Sequence, residues 1–309
     1  MMSLLTVGTV AFDTIETPYG KAEMVIGGAC TYISWSASYF TNHIHLVSIV
    51  GDDFPDHELQ KLKNRGVSMD GLKIVEGGKS FFWAGRYHNK MNNRDTLITD
   101  LNVLAEFDPK LPDGAKSSKY VMLGNLTPAI QKSVLDQLDG SQKLIALDTM
   151  NFWMDIALDS LKEVMKKVDV ITINDEEARQ LSGEYSLVKA ARKILTMGPK
   201  YVVIKKGEHG ALLFDKEHMF FAPALPLEEV MDPTGAGDTF AGGFIGFIAH
   251  TKDISFENMK RAIIIGSSLA SFTVEKFGTE RILDLKESEI DARIQSFVEL
   301  VDFNIEFVE

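Results

Sequence analysis

Apolar runs of strand length recur in this chain at 4–10, 45–50, 120–123, 144–147, 170–173 and 201–205, and the later ones alternate with helical periodicity at 127–138, 158–167, 176–181 and 187–197. That order leaves few folds open. A strand that returns through a helix lies parallel to its neighbour, so the expected core is a mostly parallel sheet covered by helices on both faces, an α/β fold. Two stretches break the rhythm. Residues 12–22 are polar and turn-prone, and 72–104 carries strand-like pieces at 79–87 and 94–99 with no helix between them. They are expected to pair as a small sheet, a lid inserted into one domain spanning 1–309. A helical pattern at 290–300 closes the chain, and the acidic tail is read as having little role.

Composition narrows the setting. With 309 residues and 45% hydrophobic content, the chain has ample material for a core. The single cysteine, Cys30, excludes an internal disulfide framework, and the opening Met1-Met2-Ser3-Leu4-Leu5 reads as the approach to a buried strand, not a signal peptide. No apolar run reaches the ~18 residues of a membrane helix, so a cytoplasmic protein is expected. A net charge of -12 argues against a nucleic-acid partner. His43 and His45 lie two apart on one face of a strand, without the clustered ligands a tetrahedral metal site needs.

The chemistry concentrates in Asp232-Pro233-Thr234-Gly235-Ala236-Gly237-Asp238-Thr239-Phe240. Pro233 stiffens a turn, Gly235 and Gly237 let backbone approach a ligand, and a buried helix is expected from Thr239 onward. The free N–H groups and positive dipole end of that helix make an anion site. Asp238 at its mouth is either a helix cap or an ionised base with a depressed pKa, able to take a proton from a hydroxyl held against a phosphate. Gly242, Gly243 and Gly246 each cost about 1 kcal/mol relative to Ala inside a helix, which signals close packing against a strand or ligand. Two other phosphate loops fail. Gly78-Lys79-Ser80 has Lys73 where a P-loop needs its first glycine, and Gly235-Ala236-Gly237 has Phe240 where a dinucleotide fingerprint needs its third.

Three further groups stand at predicted strand ends. Asn174-Asp175-Glu176-Glu177 follows the run at 170–173, where it could serve a Mg²⁺-phosphate or simply form a capping box. Lys205-Lys206-Gly207-Glu208-His209-Gly210 reads as a hairpin loop. Gly27-Gly28-Ala29-Cys30-Thr31-Tyr32, with Asp13 upstream, suits a polyhydroxylated ligand or a tight turn. Trp83, Arg86 and Tyr87 on the lid could cover a ligand, or pack at strand spacing.

Together with Gly51-Asp52-Asp53-Phe54, these motifs in this order closely resemble the ribokinase (PfkB) family of carbohydrate and nucleoside kinases. The resemblance implies a ribokinase-like three-layer sandwich and an ATP- and Mg²⁺-dependent kinase acting on a hydroxymethyl group of a sugar or polyol, or alternatively of a nucleoside. It makes Asp238 the catalytic base and Gly235, Ala236 and Gly237 the anion hole. Asn174, Glu177, Lys205, Gly207, Gly210, Thr234 and Ser267 fall on the nucleotide side, with Glu177 reaching Mg²⁺ through water. Asp13, Gly27, Gly28, Tyr32, Asn125 and Asn151 fall on the acceptor side. Asp232, with backbone near Thr273 and Gly278, matches a monovalent-cation site, K⁺ in some members. Two departures concern the acceptor: Tyr32 stands where sugar binders often carry Asn, and Trp153 replaces the arginine of an Asp-Asn-Arg run, which disfavours a charged acceptor. A silent small-ligand sensor on the same fold is the competing reading, against which an intact base and anion hole speak. A homodimer paired through lid edges is expected.

Overall fold

The computed structural model describes residues 3–302. Its strands are β1 (Leu4–Val7), β2 (Ala11–Thr17), β3 (Gly20–Gly27), β4 (Ile44–Gly51), β5 (Val67–Val75), β6 (Phe81–Tyr87), β7 (Arg94–Asp100), β8 (Tyr120–Leu123), β9 (Leu144–Asp148), β10 (Val170–Asn174), β11 (Tyr201–Lys205), β12 (Ala211–Phe214) and β13 (Met219–Ala222). Nine of them form one sheet in the order β13-β12-β11-β10-β9-β8-β1-β4-β5. Its pairs are parallel except β11 with β12 and β12 with β13.

Strand periodicity divides the core in two. Leu4, Leu46, Met122, Val170 and Val203 join one buried cluster, while their neighbours Leu5, Val47, Val121, Ile171 and Val202 join another. Helices Ala29–Ala37, Ala236–Thr251 and Phe256–Thr273 cover the first face, and Pro128–Gln137, Leu158–Met165, Asp175–Ser182 and Leu187–Leu195 cover the second. The result is the expected three-layer ribokinase-like sandwich.

The remaining strands form a separate four-stranded sheet, β3-β2-β6-β7, in which β2 and β6 run parallel and the outer pairs antiparallel. Its boundaries differ from expectation. Residues 72–75 belong to β5, the edge of the large sheet, and the stretch from Ala11 to Thr17 is a strand, not a turn, whose pairing with β3 shifts register between Asp13 and Ile15. A clasp joins the two sheets: Ser80 donates through both N–H and hydroxyl to Asp53 Oδ1, at 2.8 and 2.6 Å, and accepts from the Gly51 amide at 3.0 Å. Gly78-Lys79-Ser80 is therefore part of this junction. The helical glycines also meet something other than the expected strand or ligand: a Cβ on Gly242 would stand 2.3 Å from the Ile33 carbonyl, and one on Gly246 would stand 2.8 Å from Ala37 Cα. Their absent side chains let helix Ala236–Thr251 lie backbone against backbone on helix Ala29–Ala37. Residues 303–309, including the acidic tail, lie outside the described residues, as do Met1 and Met2.

Candidate active site

The helix of the glycine-rich loop starts at Ala236, three residues earlier than its apolar pattern suggests. Gly235 caps it in the left-handed region (φ 74°), and a Cβ there would fall within 2.5 Å of the Tyr32 ring. The amides of Gly235, Gly237 and Asp238 donate to no acceptor among the described residues, whereas Ala236 donates to the Pro233 carbonyl at 3.2 Å. The open donors thus keep Gly235 and Gly237 of the expected trio, with Asp238 in place of Ala236. Asp232 ties the loop down: wholly buried, it accepts from the Thr234 amide at 2.8 Å and the Gly278 amide at 2.9 Å.

Asp238 lies in the first turn of this helix and makes no capping bond, so the cap reading falls away. Its pKa is raised, not depressed as expected. Burial in the cleft is the main cause and the Asp148 carboxylate adds to it, against the opposing charges of Lys205 and Arg94. The carboxylate accepts no hydrogen bond among the described residues that would offset its burial.

Parallel pairing brings the next groups together. Thr172 of β10 pairs with Asp148 of β9, and Asn174 of β10 pairs with Lys205 of β11, so Asp148, Asn174 and Lys205 stand at the carboxyl ends of adjacent strands. Lys205 Nζ lies 3.4 Å from Asp148 Oδ1. Asn174 and Glu177 form the reciprocal capping box, with both bonds at 2.8 Å. Glu177 is buried, which pushes its carboxyl up to about 7 although Lys205 pulls the other way. The loop after β11 makes a 3₁₀ turn at Gly207–His209 before the antiparallel β12, as its hairpin pattern suggests. Gly207 and Gly210 have positive φ there, and Gly207 packs so closely on the small-sheet hairpin that a Cβ would stand 2.5 Å from Asn92 Oδ1. Ser267 is half-buried on helix Phe256–Thr273, with no side-chain hydrogen bond among the described residues.

On the acceptor side, Asp13 of β2 is buried with its carboxylate across Gly27, where a Cβ would be 1.9 Å from Oδ2. Burial raises it to about 7, helped by Asp232 and Asp238 and opposed by the Gly28 amide and Arg94. Asp13 and Asp238 therefore share one cleft. The other acceptor-side residues sit differently. Tyr32 is buried behind the glycine loop, with its hydroxyl unpartnered among the described residues. Asn125 accepts from Trp153 Nε1 at 2.8 Å and donates to Met150 Sδ at 3.1 Å, and Asn151 donates to Gln180 Oε1 at 2.6 Å. These amides hold the cleft wall together, and Trp153 is part of it.

Of the small-sheet residues, Arg86 pairs with Glu16 on the exposed side at 3.0 Å. Trp83 lies across Gly85 and beneath Arg94, and buried Tyr87 accepts from Thr234 Oγ1 at 3.1 Å. Sequence reasoning missed Arg94, whose charge lowers the pKa of Asp13, Glu177 and Asp238 alike. It also left Asp148 without a role; the signal was an acid closing an apolar strand at a carboxyl end.

The profile of the pfkB family carbohydrate kinases matches residues 1–285. The chain belongs to the PfkB family. As a PfkB member it is a phosphotransferase with an alcohol group as acceptor. It is 29% identical to the cytidine kinase of Thermococcus kodakarensis over 284 residues, 90% of this chain and 98% of that one. An Escherichia coli protein described as a candidate ribokinase II, solved with ATP and Mg²⁺, superposes with a TM-score of 0.79 at 20% identity, covering 96% of this chain and all (100%) of the other. A Burkholderia thailandensis nucleoside kinase solved with inosine gives 0.74 at 17% identity, covering 96% and 98%. At those identities the structural likeness is one of fold. No described helix is long and apolar enough to cross a membrane.

Proposed function

We propose that this PfkB kinase uses ATP with Mg²⁺ to phosphorylate the hydroxymethyl group of a neutral nucleoside. The observation that carries the reading is that Asp238, in the helix turn that presents the open amides of the glycine loop, shares its cleft with buried Asp13. Asp13 takes hydroxyls of the acceptor, Asp238 takes the proton of the attacking one, and the amides of Gly235, Gly237 and Asp238 hold the transferred phosphoryl oxygens. The acceptor oxygen bonds to the γ-phosphorus as the bond to the ADP oxygen breaks, and that electron pair leaves with ADP.

No cluster of three metal-ligating side chains occurs among the described residues, which suits Mg²⁺ held mainly by phosphates and water. Glu177 and Asn174 would meet it through water, where its charge offsets that on the phosphates. A monovalent cation beside Asp232 is part of the proposal, tested by comparing rates in K⁺ and in a bulky organic cation.

The choice of nucleoside rests on the Trp153 wall, which lacks the arginine a charged acceptor would need, and on the likeness to a cytidine kinase. A simple sugar is the second reading, supported by the family's carbohydrate kinases. An ADP-release screen across nucleosides, pentoses, hexoses and polyols decides between them. Turnover confined to sugars overturns the nucleoside assignment, and ATP-dependent stabilisation without any ADP release points to a sensor.

The small sheet acts as the lid, and the buried cysteine suits a reducing cytoplasm. Exposed Leu97, Ile98 and Leu101 on and after the edge strand β7 make a homodimer through this sheet part of the proposal. Sedimentation is expected to give a dimer that Ile98→Lys dissociates; a monomeric parent protein counts against it.

A further inference from the structure

Lys205 closes β11 at the start of the loop assigned to the nucleotide, yet its side chain does not follow that loop. Its ammonium turns back across the strand ends, 3.4 Å from Asp148 Oδ1 and 3.2 Å from where a Cβ of Gly237 would stand. It is largely buried, with 18% of the side chain exposed. An ammonium carries three donors. Here it has a single hydrogen-bond partner among the described residues, at a length well beyond the ~2.7–2.9 Å of a good charge-assisted bond. The carboxylates of Asp148, Glu177 and Asp238 together outweigh burial and keep the ammonium charged, yet two of its three donors meet no acceptor among the described residues, so the site has room for one that arrives.

Its anchor is itself anchored. Gln131 is fully buried on helix Pro128–Gln137, and its Nε2 donates to the carbonyls of Gly124 and Asp148, both at 3.0 Å. That amide fixes the turn from which the Asp148 carboxylate reaches Lys205. Gly237, whose own amide is open, supplies the room: any side chain there would press on the ammonium.

We propose that Lys205 is a catalytic residue that contacts a non-bridging oxygen of the transferred phosphoryl group, with Asp148 as the positioning residue that holds it and Gln131 fixing Asp148. The proposal rests on the phosphoryl-transfer reading and deepens it. Lys205 keeps its proton throughout; the acceptor's proton goes to Asp238 and the leaving electron pair to ADP. The ammonium offsets charge on the equatorial oxygens, work the amides share.

Lys205→Met removes the charge at similar length. The expected result is a loss of about 10²–10³ in kcat, the scale of one anion-hole donor. By calorimetry with Mg²⁺, ADP affinity stays within about two-fold, while that of a non-hydrolysable ATP analogue falls by about ten-fold, a factor worth about 1.4 kcal/mol. The double variant Lys205→Met/Asp148→Asn separates contact from stray charge. If Lys205→Met harmed the enzyme only by leaving Asp148 unpaired, the double variant regains activity and the proposal fails. It also fails if kcat changes less than about five-fold, or if ADP and the analogue weaken equally. Should Lys205→Met not fold, Asp148→Asn alone is read, with the analogue expected to weaken about three-fold more than ADP and an unchanged ratio overturning the proposal. Calorimetry needs no acceptor, so a failure of the nucleoside assignment leaves this test intact.

Discussion

Asp238 and Asp148 are two carboxylates in one cleft, and their mutual repulsion, added to burial, decides the pH at which the base is ready. A base must be deprotonated to act, and a raised pKa means that activity is lost as pH falls through the raised value. The acid limb of kcat/KM is therefore expected well above the ~4 of an ordinary carboxylate. A profile flat down to pH 5 would remove Asp238 from that role. Asp238→Asn is expected to lower kcat by about 10²–10⁴ while calorimetry shows ATP affinity within a few-fold. The base and its loop were legible because Asp, Gly and Pro at fixed offsets leave a local signature. Its protonation behaviour was not, because Asp148 lies ninety residues upstream and reaches the cleft only through strand pairing. Arg94 was hidden for the same reason. Asn125 and Asn151 carried the right chemistry for hydroxyls, yet Trp153 and Gln180 claim their amides, a competition visible only once the chain is folded.

At the scale of elements, the alternation of apolar runs gave the layers and most of the parallel order, since each buried strand needs cover on two faces. The small sheet was harder to bound. Its edge strand β7 is exposed throughout and mixes polar with apolar residues, and β5 leads into the small sheet without a break in composition. The helical glycines announced a close approach without naming the partner. Gly242→Ala tests that contact: a methyl would meet the Ile33 carbonyl at 2.3 Å, so a loss of about 1–3 kcal/mol is expected despite Ala's better helix propensity. Urea denaturation measures it, and an unchanged midpoint would mean that the helices separate easily.

The molecule as a whole carries its buried carboxylates as a strain on stability in the absence of ligand. Asp13 and Glu177 are raised to about 7 from ordinary values near 4. A raised carboxyl contributes stability that is fully present below its unfolded pKa and lost as pH rises through the folded one. The ligand-free protein is therefore expected to gain melting temperature as pH falls from 7.5 to 5.5, against a smaller opposite effect from His45, which burial lowers. Scanning calorimetry checks this, and Asp13→Asn with Glu177→Gln is expected to flatten the trend. The glycine contact between helices Ala236–Thr251 and Ala29–Ala37 has a mechanical consequence at this scale. One helix carries Asp238, and the other begins beside Gly28, so the two behave as a single anvil beneath the reaction. If the small sheet moves as the proposed lid, an acceptor can be admitted or released while the backbone that carries Asp238 stays braced by its partner helix.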